Sequence, residues 1–120
     1  MVRGFNNPVI LAWNRGAEAL YGYSAAEAIG RLVHDLLASE YSEPLAEIEE
    51  IVRVNGEWLG AVRQQRRDGS WLTVLMSKRL HRDNLGFPES IFQVALPVAL
   101  ELAAGAAREL VLTGAVANLE

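Results

Sequence analysis

The chain has 120 residues, which suits one domain with one hydrophobic core. Its hydrophobic fraction of 51% and charged fraction of 22% are ordinary for a globular protein. A net charge of −4 argues against a nucleic-acid partner, since phosphate binding needs a basic face, and the lack of cysteine excludes disulfides and thiolate chemistry.

The N-terminal residues predict a strand hairpin. Residues 1–5 and 9–13 have strand length and apolar character, and Asn6-Asn7-Pro8 between them is typical of a turn, because Asn tolerates the left-handed region and Pro fixes φ. Arg3 and the two asparagines interrupt any early apolar run, so no signal peptide is predicted and we expect a cytoplasmic protein.

Two short helices are predicted next. Asn14 can cap a first helix over residues 15–20, and Gly22 ends it. Ser24 and Glu27 form an S-x-x-E capping box, which predicts the start of a second helix. Helices this short are marginal alone, so they must pack on another part of the fold.

This stretch resembles the start of a PAS domain, the sensory module of many signalling proteins. The matching residues are Trp13, Asn14, Ala17, Glu18, Leu20, Gly22, Tyr23, Ser24, Glu27, Ile29 and Gly30. A second matching block is Asn55-Gly56-Glu57-Trp58-Leu59-Gly60, followed by Arg66-Arg67-Asp68-Gly69-Ser70. The resemblance covers about residues 1–95.

A longer helix is predicted over residues 43–54. Ser42 is its predicted N-cap, and Pro44 suits a first turn. Its predicted buried stripe is Leu45, Ile48, Ile51 and Val52, and its predicted wet face includes a Glu49–Arg53 ion pair. Residues 31–37, just before it, carry one apolar face at helical or irregular spacing.

Strand patterns follow the long helix. Residues 58–67 and 71–82 are long runs joined by Asp68-Gly69, a strong hairpin signal, and residues 91–96 predict a last strand. In the second run the more apolar face is Leu72, Val74, Met76 and Leu80, which we assign to the core. Trp71 and Leu75 on the other face predict that this side is partly covered as well.

The last quarter of the chain is rich in Ala and Leu and predicts an apolar helix over residues 97–120, with Pro97 as its first residue. Gln93, Pro97 and Glu101 argue against a membrane span, because a carboxylate in the middle of a span is costly. An exposed apolar tail is stabilised when another chain buries it, so the tail predicts a homodimer.

The predicted fold class is α+β. The resemblance implies a five-stranded antiparallel sheet with short helices on one face, as a sensor domain over residues 1–96 with a helical tail over residues 97–120. It also implies a pocket between helices and sheet that is either filled by side chains or holds a ligand. The predicted lining is Ile29, Leu32, Val33, Leu36, Leu45, Ile48, Val52, Val74 and Met76.

The chain offers few groups for cofactor chemistry. His34 and His81 lack partners at metal spacing. His34 is predicted to be a surface or helix-cap residue, and His81 is predicted to be exposed at a strand end. The haem-binding histidine of some PAS domains is absent from the long helix, and the flavin–cysteine adduct of others needs a cysteine. Non-covalent flavin stays open, with a ring from Trp13, Trp58 or Trp71 and an amide from Gln64, Gln65 or Asn14.

The resemblance implies a sensory or dimerisation module of a multidomain signalling protein, which binds a small molecule or acts through protein contacts. The cofactor is unknown, and an output domain elsewhere in the protein is expected. The alternative is a small ligand carrier or enzyme on a similar α+β shell, which would need a polar or ionisable cluster inside the pocket. A third possibility is an oligomerisation module without a ligand. The sequence predicts no catalytic set.

Overall fold

A computed structural model describes residues 1–98, which fold into one antiparallel sheet covered on one face by short helices. The strands are β1 (Val2–Gly4), β2 (Ile10–Ala12), β3 (Glu40–Tyr41), β4 (Glu57–Gln65), β5 (Trp71–Arg82) and β6 (Pro88–Val98). The helices are α1 (Arg15–Tyr21), α2 (Ala25–Ala28), α3 (Val33–Leu37) and α4 (Leu45–Asn55). The strand order across the sheet is β2-β1-β6-β5-β4-β3.

The predicted caps of the first two helices are confirmed. The Asn14 side chain accepts a hydrogen bond from the Ala17 amide at 2.8 Å, and Gly22 ends α1 with φ of 84°. The Ser24 hydroxyl accepts from the Glu27 amide at 3.2 Å, while the Glu27 carboxylate accepts from the Ser24 amide at 3.0 Å. Both helices therefore begin directly after the N-cap residues that the sequence predicts.

The predicted hairpin at Asp68-Gly69 is also confirmed. β4 pairs with β5 along the whole length of β4, and Gln65 lies opposite Trp71. Gly69 has φ of +87°, and the Asp68 carboxylate accepts a 2.9 Å hydrogen bond from the Ser70 amide, which stabilises the turn.

The sheet has six strands, so the prediction of five is wrong. The additional strand is β3, in which Glu40 pairs with Arg63 and Tyr41 with Val62 of β4. It has only two residues, so no alternation of apolar and polar residues could reveal it. Its pairing depends on the position of β4, which is distant in sequence.

The start and the wet face of α4 also differ from the prediction. The N-cap is Pro44, which makes no side-chain cap, so Ser42 does not cap the helix and Pro44 does not lie in its first turn. Arg53 forms its ion pair with Glu50 rather than Glu49. Glu49 instead reaches the sheet, because it lies beside the buried Ile48 on the face that packs there.

β6 is longer than predicted and includes Pro97, which lies opposite Val74 of β5. Pro97 is therefore not the first residue of a helix. The pairing of β1 with β6 covers only Ser90–Phe92, so among residues 1–98 Pro97 has no strand on its other side, and its missing N–H breaks no ladder bond. The rest of the predicted tail lies outside the described residues. No helix within residues 1–98 is long and apolar enough to cross a membrane.

The core lies between the helices and the inner face of the sheet. One cluster joins β2 to the helices and includes Ile10, Trp13, Ala17, Tyr21, Ala28, Val33, Leu36 and Leu37. A second cluster is Val62, Val74 and Met76 on β4 and β5, which confirms the predicted core face of β5. Leu20, Leu72 and Ala95 pack against both clusters and make one continuous core.

Candidate functional site

A cavity of about 420 Å³ lies between α1 and the inner face of the sheet. α1 forms one wall, from Gly16 to Tyr21. Met76 of β5 and Gln93 and Ala95 of β6 line the opposite wall. The walls are mostly apolar, so the cavity suits an apolar molecule with few polar groups.

The α1 wall of this cavity is held in place by hydrogen bonds to its C-terminal turn. The Arg66 guanidinium donates to the Leu20 carbonyl at 3.0 Å, and the Arg67 amide donates to the Tyr21 carbonyl at 2.8 Å. The Tyr21 hydroxyl donates to the buried Gln64 at 2.5 Å. Burial raises the pKa of the Tyr21 hydroxyl, so this side chain is a neutral hydrogen-bonding group.

Beside the cavity lies a group of ionisable side chains, which we call the inner cluster: Arg3, His34, Glu49 and Lys78. The Arg3 side chain is fully buried. Its Nε donates to Gln93 Oε1 at 2.7 Å, and its Nη2 forms an ion pair with the Glu49 carboxylate. Arg3 therefore connects β1 to α4 and β6 through charge-assisted hydrogen bonds.

Lys78 is the only lysine of the chain, and its side chain is fully buried on the inner face of β5. Its Nζ lies 4.7 Å from the centroid of the Tyr41 ring, and within residues 1–98 it has no hydrogen-bond partner. Burial and the Arg3 charge lower the pKa of Lys78 to about 8, against the opposing effect of the Glu49 carboxylate.

His34 belongs to the inner cluster, so its prediction as a surface or cap residue is wrong. Its Nε2 is 3.9 Å from the Glu49 carboxylate, and its ring meets the edge of Tyr41. Burial, with the Lys78 and Arg3 charges, lowers the pKa of His34 to about 4, so the imidazole is neutral at neutral pH. His81 is exposed, as predicted, and lies 3.5 Å from Glu89.

The residues predicted to line a pocket are divided among several places. Met76 lines the cavity, while Val33, Leu36 and Val74 are buried in the two core clusters. Ile48 and Val52 are buried on α4, and Leu45 is half-buried there. Ile29 and Leu32 are 48% and 42% exposed. Their role in ligand binding stays a prediction.

The aromatic rings considered for flavin lie outside the cavity wall. Trp13 is buried, and its indole donates to the Tyr23 carbonyl at 3.0 Å. Trp58 covers Gly60, and Trp71 stacks under the Arg63 guanidinium on the outer face. Of the amides considered, Asn14 lines the cavity, Gln64 contacts Tyr21, and Gln65 donates to the Gly69 carbonyl.

The sequence reasoning missed Arg3, Lys78 and Gln93, although a signal was present. Lys78 lies two residues after Met76 and two before Leu80, so strict alternation places it on the core face of β5. Gln93 lies in the same way between Ile91 and Ala95. The period of two therefore predicts the inner face for both residues.

Within the described part of the chain, no three histidine, aspartate or glutamate side chains are placed to hold a metal ion. His34 and Glu49 are partly buried, but neither lines the cavity. The four side chains of the inner cluster therefore lie next to the cavity rather than on its wall.

Comparisons with known proteins agree with this architecture. A family model described as "PAS domain" matches residues 4–87. The dark structure of the LOV domain of the blue-light photoreceptor Aureochrome1 has a TM-score of 0.73 and 19% identity, over 93% of this chain and 83% of that chain. The PAS domain of a protein from Colwellia psychrerythraea has a TM-score of 0.65 and 24% identity, over 79% of this chain and 82% of that chain.

An RNA-binding light-oxygen-voltage receptor matches 93% of this chain but only 33% of its own, with a TM-score of 0.72 and 23% identity. No curated protein sequence gives a significant match. At these identities the structural likenesses show the fold alone.

Proposed function

Because the chain belongs to the PAS domain family, we propose that it is the sensory part of a multidomain signalling protein and takes a small, mostly apolar molecule in the cavity beside α1. PAS domains are sensory signalling modules. A ligand between helix and sheet would favour one packing of α1 against β6 over another and so bias an attached element.

The cavity is the observation that carries this proposal. Its volume of about 420 Å³ lies within the range of roughly 300–1,000 Å³ that is usual for small-molecule sites. Few polar residues line it, and they include Asn14, Tyr21 and Gln93. This pattern suits a ligand whose apolar body supplies most of the contact and whose polar end is fixed by one or two hydrogen bonds.

Native mass spectrometry and an absorbance spectrum of protein purified from cells test the proposal. We expect a bound small molecule, and we expect Ala95→Leu to abolish its retention, because the added methyl groups would enter the cavity. Ala12→Leu, at an exposed position of β2, is the matched control and should retain the ligand. Equal retention by both variants would place the ligand elsewhere and contradict the proposal.

The same spectrum tests the cofactor classes. A structurally similar light-oxygen-voltage domain has been studied with a flavin analogue. This chain has no cysteine for an adduct, and the rings of Trp13, Trp58 and Trp71 do not line the cavity. These observations favour a colourless ligand over a flavin. A non-enzymatic role is part of the proposal, since neither His34 nor Glu49 reaches the cavity wall.

A second candidate role is dimerisation, favoured by exposed apolar side chains on the outer face of β6. Phe92 and Leu96 are 47% and 45% exposed on this face. Apolar patches of this kind are typical of protein contacts. We expect a dimer in size-exclusion chromatography with light scattering, and the double variant Phe92→Ser, Leu96→Ser should shift it to monomer. A wild-type monomer at tens of micromolar would exclude this role.

A further inference from the structure

The inner cluster holds more positive than negative charge. Arg3 and Lys78 are fully buried cations, and Glu49 is the one carboxylate in contact with them among residues 1–98. Arg3 forms an ion pair with Glu49, whereas the Lys78 ammonium lies over the face of the Tyr41 ring. A buried cation without a hydrogen-bonded partner is costly, so the site is suited to accept one further negative charge.

The inner cluster adjoins the cavity through two residues that belong to both. Gln93 lines the cavity, accepts a hydrogen bond from Arg3 and lies directly opposite Lys78 in the sheet. Met76 also lines the cavity and lies two residues before Lys78 on the same face of β5. The end of the cavity at Gln93 and Met76 is therefore the end next to Lys78.

The Gln93 amide group at this end makes a weak contact. Its Nε2 donates to the Met76 sulfur at 3.5 Å, and a thioether is a weak acceptor. A stronger acceptor at this place would accept a hydrogen bond from the Gln93 Nε2 group. It would also lie close to Lys78, which is opposite Gln93 in the sheet. Lys78 has three donors on a flexible four-carbon chain, so its ammonium can turn toward such a group.

We propose that the ligand in the cavity is a monocarboxylic acid with an apolar body, whose carboxylate replaces the Met76 sulfur as acceptor for Gln93 and pairs with Lys78. This rests on the proposed function of the cavity and names the class of its ligand. A single negative charge balances the excess of the inner cluster, whereas a phosphate would bring up to two charges beside Glu49. The apolar walls suit an alkyl or aryl body.

Octanoate and octanol are the probes for this assignment, because they share an alkyl chain and differ in charge. Isothermal titration calorimetry at neutral pH should show that octanoate binds about tenfold tighter than octanol, as expected for a hydrogen bond to a charged group. In Lys78→Met the ratio of the two affinities should fall to about one. Arg31→Met removes an exposed cation away from the cavity and should leave the ratio unchanged.

The outcomes separate this inference from the proposed function. If neither probe binds, the cavity site itself fails. If both bind with equal affinity to the wild type and Ala95→Leu abolishes both, the cavity site stands and the carboxylate assignment is overturned. If Lys78→Met keeps the preference for octanoate, Lys78 is not the partner of the carboxylate. Binding of octanoate to Ala95→Leu with wild-type affinity would place it outside the cavity.

Discussion

Replacing Lys78 by Met should make the protein more stable at neutral pH, and the gain should vanish at high pH. Burial lowers the pKa of Lys78 from 10.5 to about 8 in the folded state. In the unfolded chain the Lys78 ammonium keeps its proton up to about pH 10.5. Below pH 8 the folded state therefore bears the free-energy cost of a buried charge. This cost disappears as the pH rises from 8 to 10.5, because the folded state loses the proton first. One pKa unit corresponds to about 1.36 kcal/mol, which makes the cost about 3 kcal/mol.

Methionine is similar in length to lysine and carries no charge, so Lys78→Met removes this cost while largely keeping the volume. The cation–π contact with the Tyr41 ring exists only while Lys78 is charged, so it acts at pH 7 and not at pH 10.5, and like burial it contributes through the folded-state pKa of Lys78. The difference between the variant's effect at pH 7 and at pH 10.5 therefore isolates the ionisation of Lys78.

Urea unfolding of wild type and variant at the two pH values measures this difference. We expect the variant's gain in free energy of unfolding to be about 3 kcal/mol larger at pH 7 than at pH 10.5. Raised tyrosine pKa values affect both proteins alike and cancel in the comparison. An equal effect of the substitution at the two pH values would refute the reasoning, because Lys78 would then titrate alike in the folded and unfolded chains.

Three further substitutions test other parts of the fold. Gly60→Ala should lower the free energy of unfolding by about 1–3 kcal/mol and shift the tryptophan fluorescence, because the added Cβ would lie 2.4 Å from the Trp58 ring. Gly16→Ala is the control and should be tolerated, because the nearest atom to its added Cβ is 3.4 Å away. Ser24→Ala should lower the free energy of urea unfolding by about 1 kcal/mol through loss of the capping box. The pKa of His34 is lowered to about 4 in the folded state, so the free energy of unfolding of the wild type should fall by up to about 3 kcal/mol between pH 6.5 and pH 4. The free energy of unfolding of His34→Leu should fall less over that range. Parallel acid-unfolding curves for the two proteins would contradict this.

The features that the sequence predicted well are those set by neighbouring residues. Asn14, the Ser24 capping box and the Asp68-Gly69 turn act within a few positions along the chain, so their effect does not depend on the rest of the fold. The resemblance added the order of helices and strands. The family was therefore identifiable from residues alone, and the match over residues 4–87 confirms it.

The errors arose where distant parts of the chain decide the outcome. Pro97 has a local preference for the start of a helix, but pairing with β5 keeps it in a strand. β3 exists only because β4 offers an edge to Glu40 and Tyr41. The local pattern places Glu49 on the solvated face of α4. In the structure it instead pairs with Arg3 of the sheet, which lies forty-six positions away in sequence.

The site was the least predictable part, for a physical reason. Cavities and cores are lined by the same apolar residues, so the pattern cannot show which face of a helix leaves space. Of the predicted lining residues, Met76 lies on the cavity wall, while Tyr21 and Ala95 on that wall were not among them. The polar residues Lys78 and Gln93 carried the better information, because alternation placed them inside.

The single lysine makes one measurement decisive, since protein labelled with ¹³C-lysine gives one lysine side-chain signal in an NMR spectrum. Its titration should give a pKa of about 8 for Lys78 in the free protein. Octanoate should shift this signal and raise the pKa, because a carboxylate favours the charged ammonium, and octanol should not raise it. A pKa near 10.5 with no response to octanoate would show that Lys78 is not the charged end of a ligand site on the inner face of the sheet.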